Sequence, residues 1–348
     1  MIGRIRPVRN DIYFATLLLA SVLLMFYSLQ GILDSNDIND NGWALDFIDV
    51  TAMHNEGYYG NAMKIGIVDT GVDIGNKEFD GMKIIYWADL VNNRETPYDD
   101  NGHGTMMMGI LAGNKTVKGV APAASFVVVK SLTSSGEGDI SVVAQGINIC
   151  IAKNVDVIVL SLGGKSFKFM NTPAENAVND AINRGIVVVA SAGNNGDSAN
   201  NKDVSSPADD TSVIAVGAID KNMTIAPFSS KGSETYQSGF FRVARTDPDK
   251  KPEIVCPGVS IVTPYPGNKY VIGSGTSHAA AFAGGTIALA LEYSNVTLNT
   301  YNDVIELKNE IMKTAVKVPD QKTPHDDYYG YGLLKGMALG ENLTAIHS

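Results

Sequence analysis

Three places in the sequence carry side chains able to do chemistry together. Val68-Asp69-Thr70-Gly71 runs an apolar stretch straight into an acid. Asn101-Gly102-His103-Gly104-Thr105 sets a histidine between glycines at a helix start, and Gly273-Ser274-Gly275-Thr276-Ser277 is a small-residue turn entering an Ala-rich helix. Each has an ordinary structural explanation. An Asp after a strand is a turn or cap residue, a lone His is a structural or surface residue, and a Ser before a helix is an N-cap. Together they supply a carboxylate, an imidazole and a hydroxyl, the inventory of a charge-stabilised nucleophile. The order is Asp69, His103, Ser277. An α/β-hydrolase runs Ser, acid, His and needs G-x-S-x-G, whereas this chain reads Gly275-Thr276-Ser277-His278-Ala279. A dinucleotide fingerprint also fails, because Gly273-x-Gly275 comes late and lacks its third glycine.

Such groups must be held by a scaffold, and the apolar pattern supplies one. Runs at 64–68, 126–130, 155–160, 186–190, 213–216 and 253–255 read as strands, several apolar throughout, as expected of strands covered on both faces. Helical patterns fall at 103–111, 140–153, 173–184, 277–292 and 302–314. The alternation predicts an α/β fold with a parallel central sheet and helices on both faces. Reactive groups then gather where strands end and helices begin. No internal repeat interrupts residues 42–340, and the polar stretch 233–251 reads as a surface loop.

The 348 residues are 45% apolar and 18% charged, with 35 glycines, which excludes a disordered chain, a coiled coil and a disulfide scaffold. The net charge of −10 argues against nucleic acid as a partner. Residues 12–33 form an uncharged run of 22 residues, preceded by Arg4, Arg6 and Arg9 and followed by Asp34, Asp37 and Asp40. As a helix this run would span roughly 33 Å, enough for a bilayer core, and the flanking charges place the N-terminus in the cytosol. The expected organisation is a basic segment 1–11, a transmembrane anchor or signal peptide 12–33, a linker 34–41 and a domain 42–348. A single-pass anchor with the domain outside the membrane is the preferred reading, secretion after signal cleavage the alternative, and a buried core helix the third. Residues 1–33 carry three Arg and one Asp, a net +2, which leaves −12 for the remainder. Cys150 and Cys256 sit in apolar contexts and read as small core residues, with a disulfide between them left open.

Taken in order, these motifs resemble those of the subtilisin-like serine protease family (subtilases). Ile67-Val68-Asp69-Thr70-Gly71-Val72-Asp73, Gly102-His103-Gly104-Thr105 and Gly275-Thr276-Ser277 resemble its aspartate, histidine and serine motifs. Ala192-Gly193-Asn194-Asn195-Gly196 resembles its oxyanion segment. Gly119-Val120-Ala121-Pro122, Ser161-Leu162-Gly163-Gly164, Val213-Ile214-Ala215-Val216-Gly217-Ala218, Phe228-Ser229-Ser230 and Gly330-Tyr331-Gly332 also match. The resemblance implies a serine endopeptidase with Ser277 as nucleophile, His103 as base, Asp69 orienting it and Asn194 as oxyanion donor. It implies that Ser161, Leu162 and Gly163 pair with a peptide or protein substrate as an added strand, with Ala192 and Gly193 beside them. No cofactor is required for this chemistry.

Several departures accompany the resemblance. Met106-Met107-Met108 replace a His and small residues, His278 stands where Met is usual, and Ala281 where Pro is usual. His278 reads as a packing residue or as a group that tunes the site. The loop 114–118 is short beside the calcium-binding loop of some members. Asp73 alone makes no calcium site, since Ca²⁺ takes six to eight oxygens, so no metal site is assigned. Only about ten residues separate the apolar run from Trp43-Ala44-Leu45-Asp46, which resembles the start of a mature domain. No long propeptide fits between them, so folding is expected to be unaided or helped in trans. Asp99, Asp100, Asp197 and Asp203 either select basic substrate side chains or form a solvated acidic surface. A catalytically silent binding protein is the rival reading.

Overall fold

The computed structural model describes residues 21–24, 28–33, 41–164, 171–198, 202–232, 235–238 and 241–347. The expected basic segment 1–11, the first part of the anchor (12–20) and almost all of the linker lie outside them. Along the chain come β1 (Ser21–Leu24), β2 (Ser28–Leu33), α1 (Gly42–Phe47), α2 (Val50–Asn55), β3 (Lys64–Asp69) and β4 (Lys83–Asp89). Then follow α3 (His103–Ala112), β5 (Ser125–Lys130), β6 (Glu137–Asp139), α4 (Ile140–Ala152), β7 (Val157–Leu160), β8 (Leu162–Gly163) and α5 (Pro173–Asn183). β9 (Val187–Ser191), β10 (Ile214–Ile219), β11 (Thr235–Ser238), β12 (Phe241–Ala244) and β13 (Ile254–Pro257) come next. The chain closes with β14 (Ile261–Tyr265), β15 (Lys269–Ser274), α6 (Thr276–Ser294), α7 (Tyr301–Thr314) and α8 (Gly336–His347).

Seven strands form one parallel sheet in the order β13-β10-β9-β7-β3-β5-β4. Both faces of the inner strands are covered, which is why several of them are apolar throughout. On β5, Phe126 and Val128 join the larger core with α3 and α6, while Val127 and Val129 join the second with α4 and α5. The period of two thus assigns alternate residues to opposite cores. α6 lies directly on the sheet. A Cβ at Gly284 would stand 2.4 Å from Val159 Cγ2, so the close approach requires glycine there. α5 starts at the expected place because Thr172 and Glu175 cap it reciprocally. After β3 the chain builds β4 and β5 on one side, then crosses to β7 on the other. The strand order therefore reverses between β3 and β7, the place where open α/β sheets put their sites.

The apolar run at the N-terminus departs from expectation. Its described residues are strands, not a helix: β1 pairs antiparallel with both β6 and β8, and β2 pairs antiparallel with β15. No described helix is long and apolar enough to cross a membrane. An apolar run suits helix or strand equally, and here the open edges of β8 and β15 satisfy its backbone groups. The stretch 233–251 likewise carries a hairpin, β11–β12, where a loop was expected. Both cysteines are buried and free, and burial pushes the Cys150 thiol up to about 12.

Candidate active site

Asp69 ends β3 and is buried. Its Oδ1 accepts the Thr70 amide at 2.7 Å, and His103 Nδ1 donates to Oδ1 and Oδ2 at 2.8 and 3.0 Å. A carboxylate only accepts, so the His103 proton stands on Nδ1 and Nε2 becomes the basic nitrogen. His103 opens α3. Gly102, at φ 108°, turns the chain into the helix, and the Gly104 amide donates to Thr70 Oγ1 at 2.8 Å. A Cβ on Gly104 would stand 2.0 Å from the Gly71 carbonyl oxygen, so only glycine lets α3 dock against the end of β3. This docking brings His103 to Asp69.

The acids before His103 are absorbed into this support. Asp99 accepts the amides of Asn101, Gly102 and Thr105 and the Thr105 hydroxyl. Asp100 pairs at 2.6 Å with buried Lys130, which also donates to the carbonyls of Thr70 and Leu132. Asp203 pairs with Arg245 at 3.1 Å. These three carboxylates are engaged within the protein, in caps and ion pairs, rather than standing on an open solvated surface.

A second group surrounds the start of α6, which packs against α3. Ser277 is its second residue, and Ser161 Oγ donates to the Ser277 carbonyl at 3.0 Å. Asn194 Oδ1 accepts the Thr276 amide at 3.0 Å and the Thr276 hydroxyl at 2.9 Å. Gly193, at φ 115°, donates its amide to Thr276 Oγ1 at 3.2 Å. These bonds fix the Asn194 amide plane. Its Nδ2 is buried and has no partner among the described residues. An orphaned buried donor calls for an explanation, and a site that later receives an anion supplies one. Ala192 is buried in the same turn.

Leu162 and Gly163 form β8, which follows Ser161 at the end of β7. β8 accepts an antiparallel strand, with Leu23 opposite Gly163 and Leu24 opposite Leu162, while β6 lines the other edge of that strand. β2 pairs with β15, Ser28 opposite Ser274, three residues before Ser277.

His278, directly after Ser277, is buried, and its Nδ1 lies 3.5 Å from Ser277 Oγ. Burial, and next the neighbouring His103, push its pKa down to about 3. Asp73 uses its carboxylate on the amides of Gly75 and Gly267. Among the described residues, no group of three or more His, Cys, Asp or Glu is placed to hold a metal ion.

Sequence reasoning missed Thr276, Lys130 and β6. Lys130 carried the same signal as Asp69, a charge at the end of an apolar strand.

The family model of the subtilase family matches residues 60–332. The chain is 36% identical to subtilisin DY of Bacillus licheniformis over 86% of this chain and 98% of that protein. It is 33% identical to subtilisin E of Bacillus subtilis (strain 168) over 86% of this chain and 71% of that protein. It is 31% identical to the minor extracellular protease Epr of the same organism over 87% of this chain, but 42% of that longer protein. Matches of this extent leave no other family for the sheet and the residues at its rim: the chain belongs to the subtilase family and is a subtilisin-like serine endopeptidase.

Proposed function

We propose that Ser277, His103, Asp69 and Asn194 carry out the hydrolysis, and that the enzyme acts outside the cytoplasmic membrane on a peptide or protein, including processing of a secreted one. Ser277 Oγ attacks the scissile carbonyl while His103 takes its proton. His103 then gives that proton to the leaving amine, and water repeats the sequence on the acyl-enzyme. Asp69 holds the imidazole in the useful tautomer and stabilises its charged form. Asn194 Nδ2 and the Ser277 amide, at the positive end of α6, receive the oxyanion.

The observation that carries this reading is the contact of His103 Nδ1 with both oxygens of buried Asp69. The slot between β6 and β8 supports the substrate mode, since a strand seated there has its backbone bonded on both edges. Action outside the membrane rests on the apolar run 12–33 and on the extracellular relative. The chemistry requires no cofactor. Whether the run is kept or removed is read from the N-terminal residue of the purified active form, and carbonate washing of membranes tests anchoring, which would require residues 21–24 and 28–33 to leave their strand partners.

A fluorophosphonate probe tests the nucleophile. Wild-type protein is expected to be labelled at Ser277, and Ser277→Ala to be unlabelled and to cleave no peptide. Equal turnover by the two would reject the assignment. A silent binding protein would leave both unlabelled, and the relatives give that rival no support.

A further inference from the structure

One ionisable side chain at the site has no part in the steps above. His278 is fully buried, follows Ser277 in α6, and has Nδ1 at 3.5 Å from Ser277 Oγ. The distance is long, as catalytic hydrogen bonds often are before substrate closes a site. The ring is neutral across the working range of a serine protease, because its pKa is pushed down to about 3. A second imidazolium there would oppose the charge that His103 must take up.

A neutral imidazole has one N–H and one lone pair, and a serine hydroxyl has one proton and two lone pairs. If Nδ1 carried the lone pair, it would draw the Ser277 proton towards itself and away from His103. If Nδ1 carries the proton, it can share it between the Gly275 carbonyl, to which the ring also bonds, and one lone pair of Oγ, and the hydroxyl proton is left for His103. Only the second arrangement suits proton transfer to His103. The donor then also faces the oxygen while negative charge gathers on it.

We propose that His278 is a positioning residue whose Nδ1–H orients the Ser277 hydroxyl towards His103. The proposal rests on the reading of Ser277 as nucleophile. Its test compares wild type with His278→Met, which keeps volume without an N–H, and with His278→Asn, whose Nδ2 sits where Nδ1 does. Each is followed by kcat, KM, fluorophosphonate labelling rate and melting temperature.

The expected result for His278→Met is a kcat and a labelling rate lower by roughly 10–100-fold at unchanged KM, with most of both rates restored in His278→Asn. A Met variant that melts lower yet labels at the wild-type rate marks a packing role and overturns the proposal. So does an Asn variant as slow as the Met variant. A second measurement needs no variant: the ¹⁵N resonances of the wild-type ring report which nitrogen is protonated. A proton on Nδ1 is expected, and a bare Nδ1 overturns the proposal. Wild-type protein that resists labelling would instead bring down the nucleophile assignment itself.

Discussion

In the proposed mechanism, Asn194 is a side chain prepared for a charge that is not yet there. Two bonds from Thr276 hold its Oδ1, and its Nδ2 is buried without a partner among the described residues. Asn194→Ala is expected to lower kcat by roughly 10²–10³-fold, a magnitude carried over from the oxyanion asparagine of a subtilisin, with little change in KM. Steady-state kinetics on a chromogenic peptide check this. His278 makes a separate prediction about stability. In the unfolded chain its ring titrates near 6.5, whereas in the fold it titrates at about 3. Between those values the unfolded state binds a proton that the folded state does not. This contribution is present in full above pH 6.5 and is lost as pH falls towards 3, by on the order of 4–5 kcal/mol at most. Denaturant titrations across that window should show a shallower acid limb for His278→Met. Burial of His54 and His325 acts in the same direction, so the limb does not vanish.

Among the elements, the loop 114–118 has an anchor that sequence reading overlooked. Glu78 is buried, and its carboxylate accepts the amides of Lys115, Thr116 and Val117 and the Tyr270 hydroxyl. One anion thereby ties the loop after α3 to β15, the strand that leads to Ser277. Glu78→Gln offers these donors one good acceptor fewer and brings an amide group against them. It is expected to destabilise the protein by about 2–3 kcal/mol, read from denaturant midpoints. Glu78 was illegible in the sequence because a lone acid in a polar stretch has no signature; its partners lie up to 192 positions away. Asp69, His103, Asn194 and Ser277 stand out as candidates in the sequence because each stands where an apolar run or a small-residue turn gives way to another element. The sheet strands were found for the same reason, their buried faces leaving continuous apolar runs. β4 was missed because its burial is patchy along an edge, and β14 because Pro264 reads as a breaker. Residues 21–24 and 28–33 carry an apolar pattern that suits a helix as well as a strand, and their partners, β6, β8 and β15, cannot be seen from the run itself.

For the whole molecule, the path of the N-terminal strands bears on the proposed substrate slot. β1 lies in the slot between β6 and β8 that a peptide is proposed to use. A chain beginning at Asn41 keeps the bonds of Asn41 to the Val262 backbone, at 2.7 and 3.0 Å, and so keeps the start of the domain pinned. This shortened form is expected to show a lower KM than the full-length chain at the same kcat, measured on one short peptide. Identical KM values would mean that β1 does not contend for the slot. A strand covalently joined to its own slot is present at an effective concentration of about millimolar. Diluting the protein leaves that local concentration unchanged, so a KM difference that comes from β1 persists in any volume and ends only when the tether is cut.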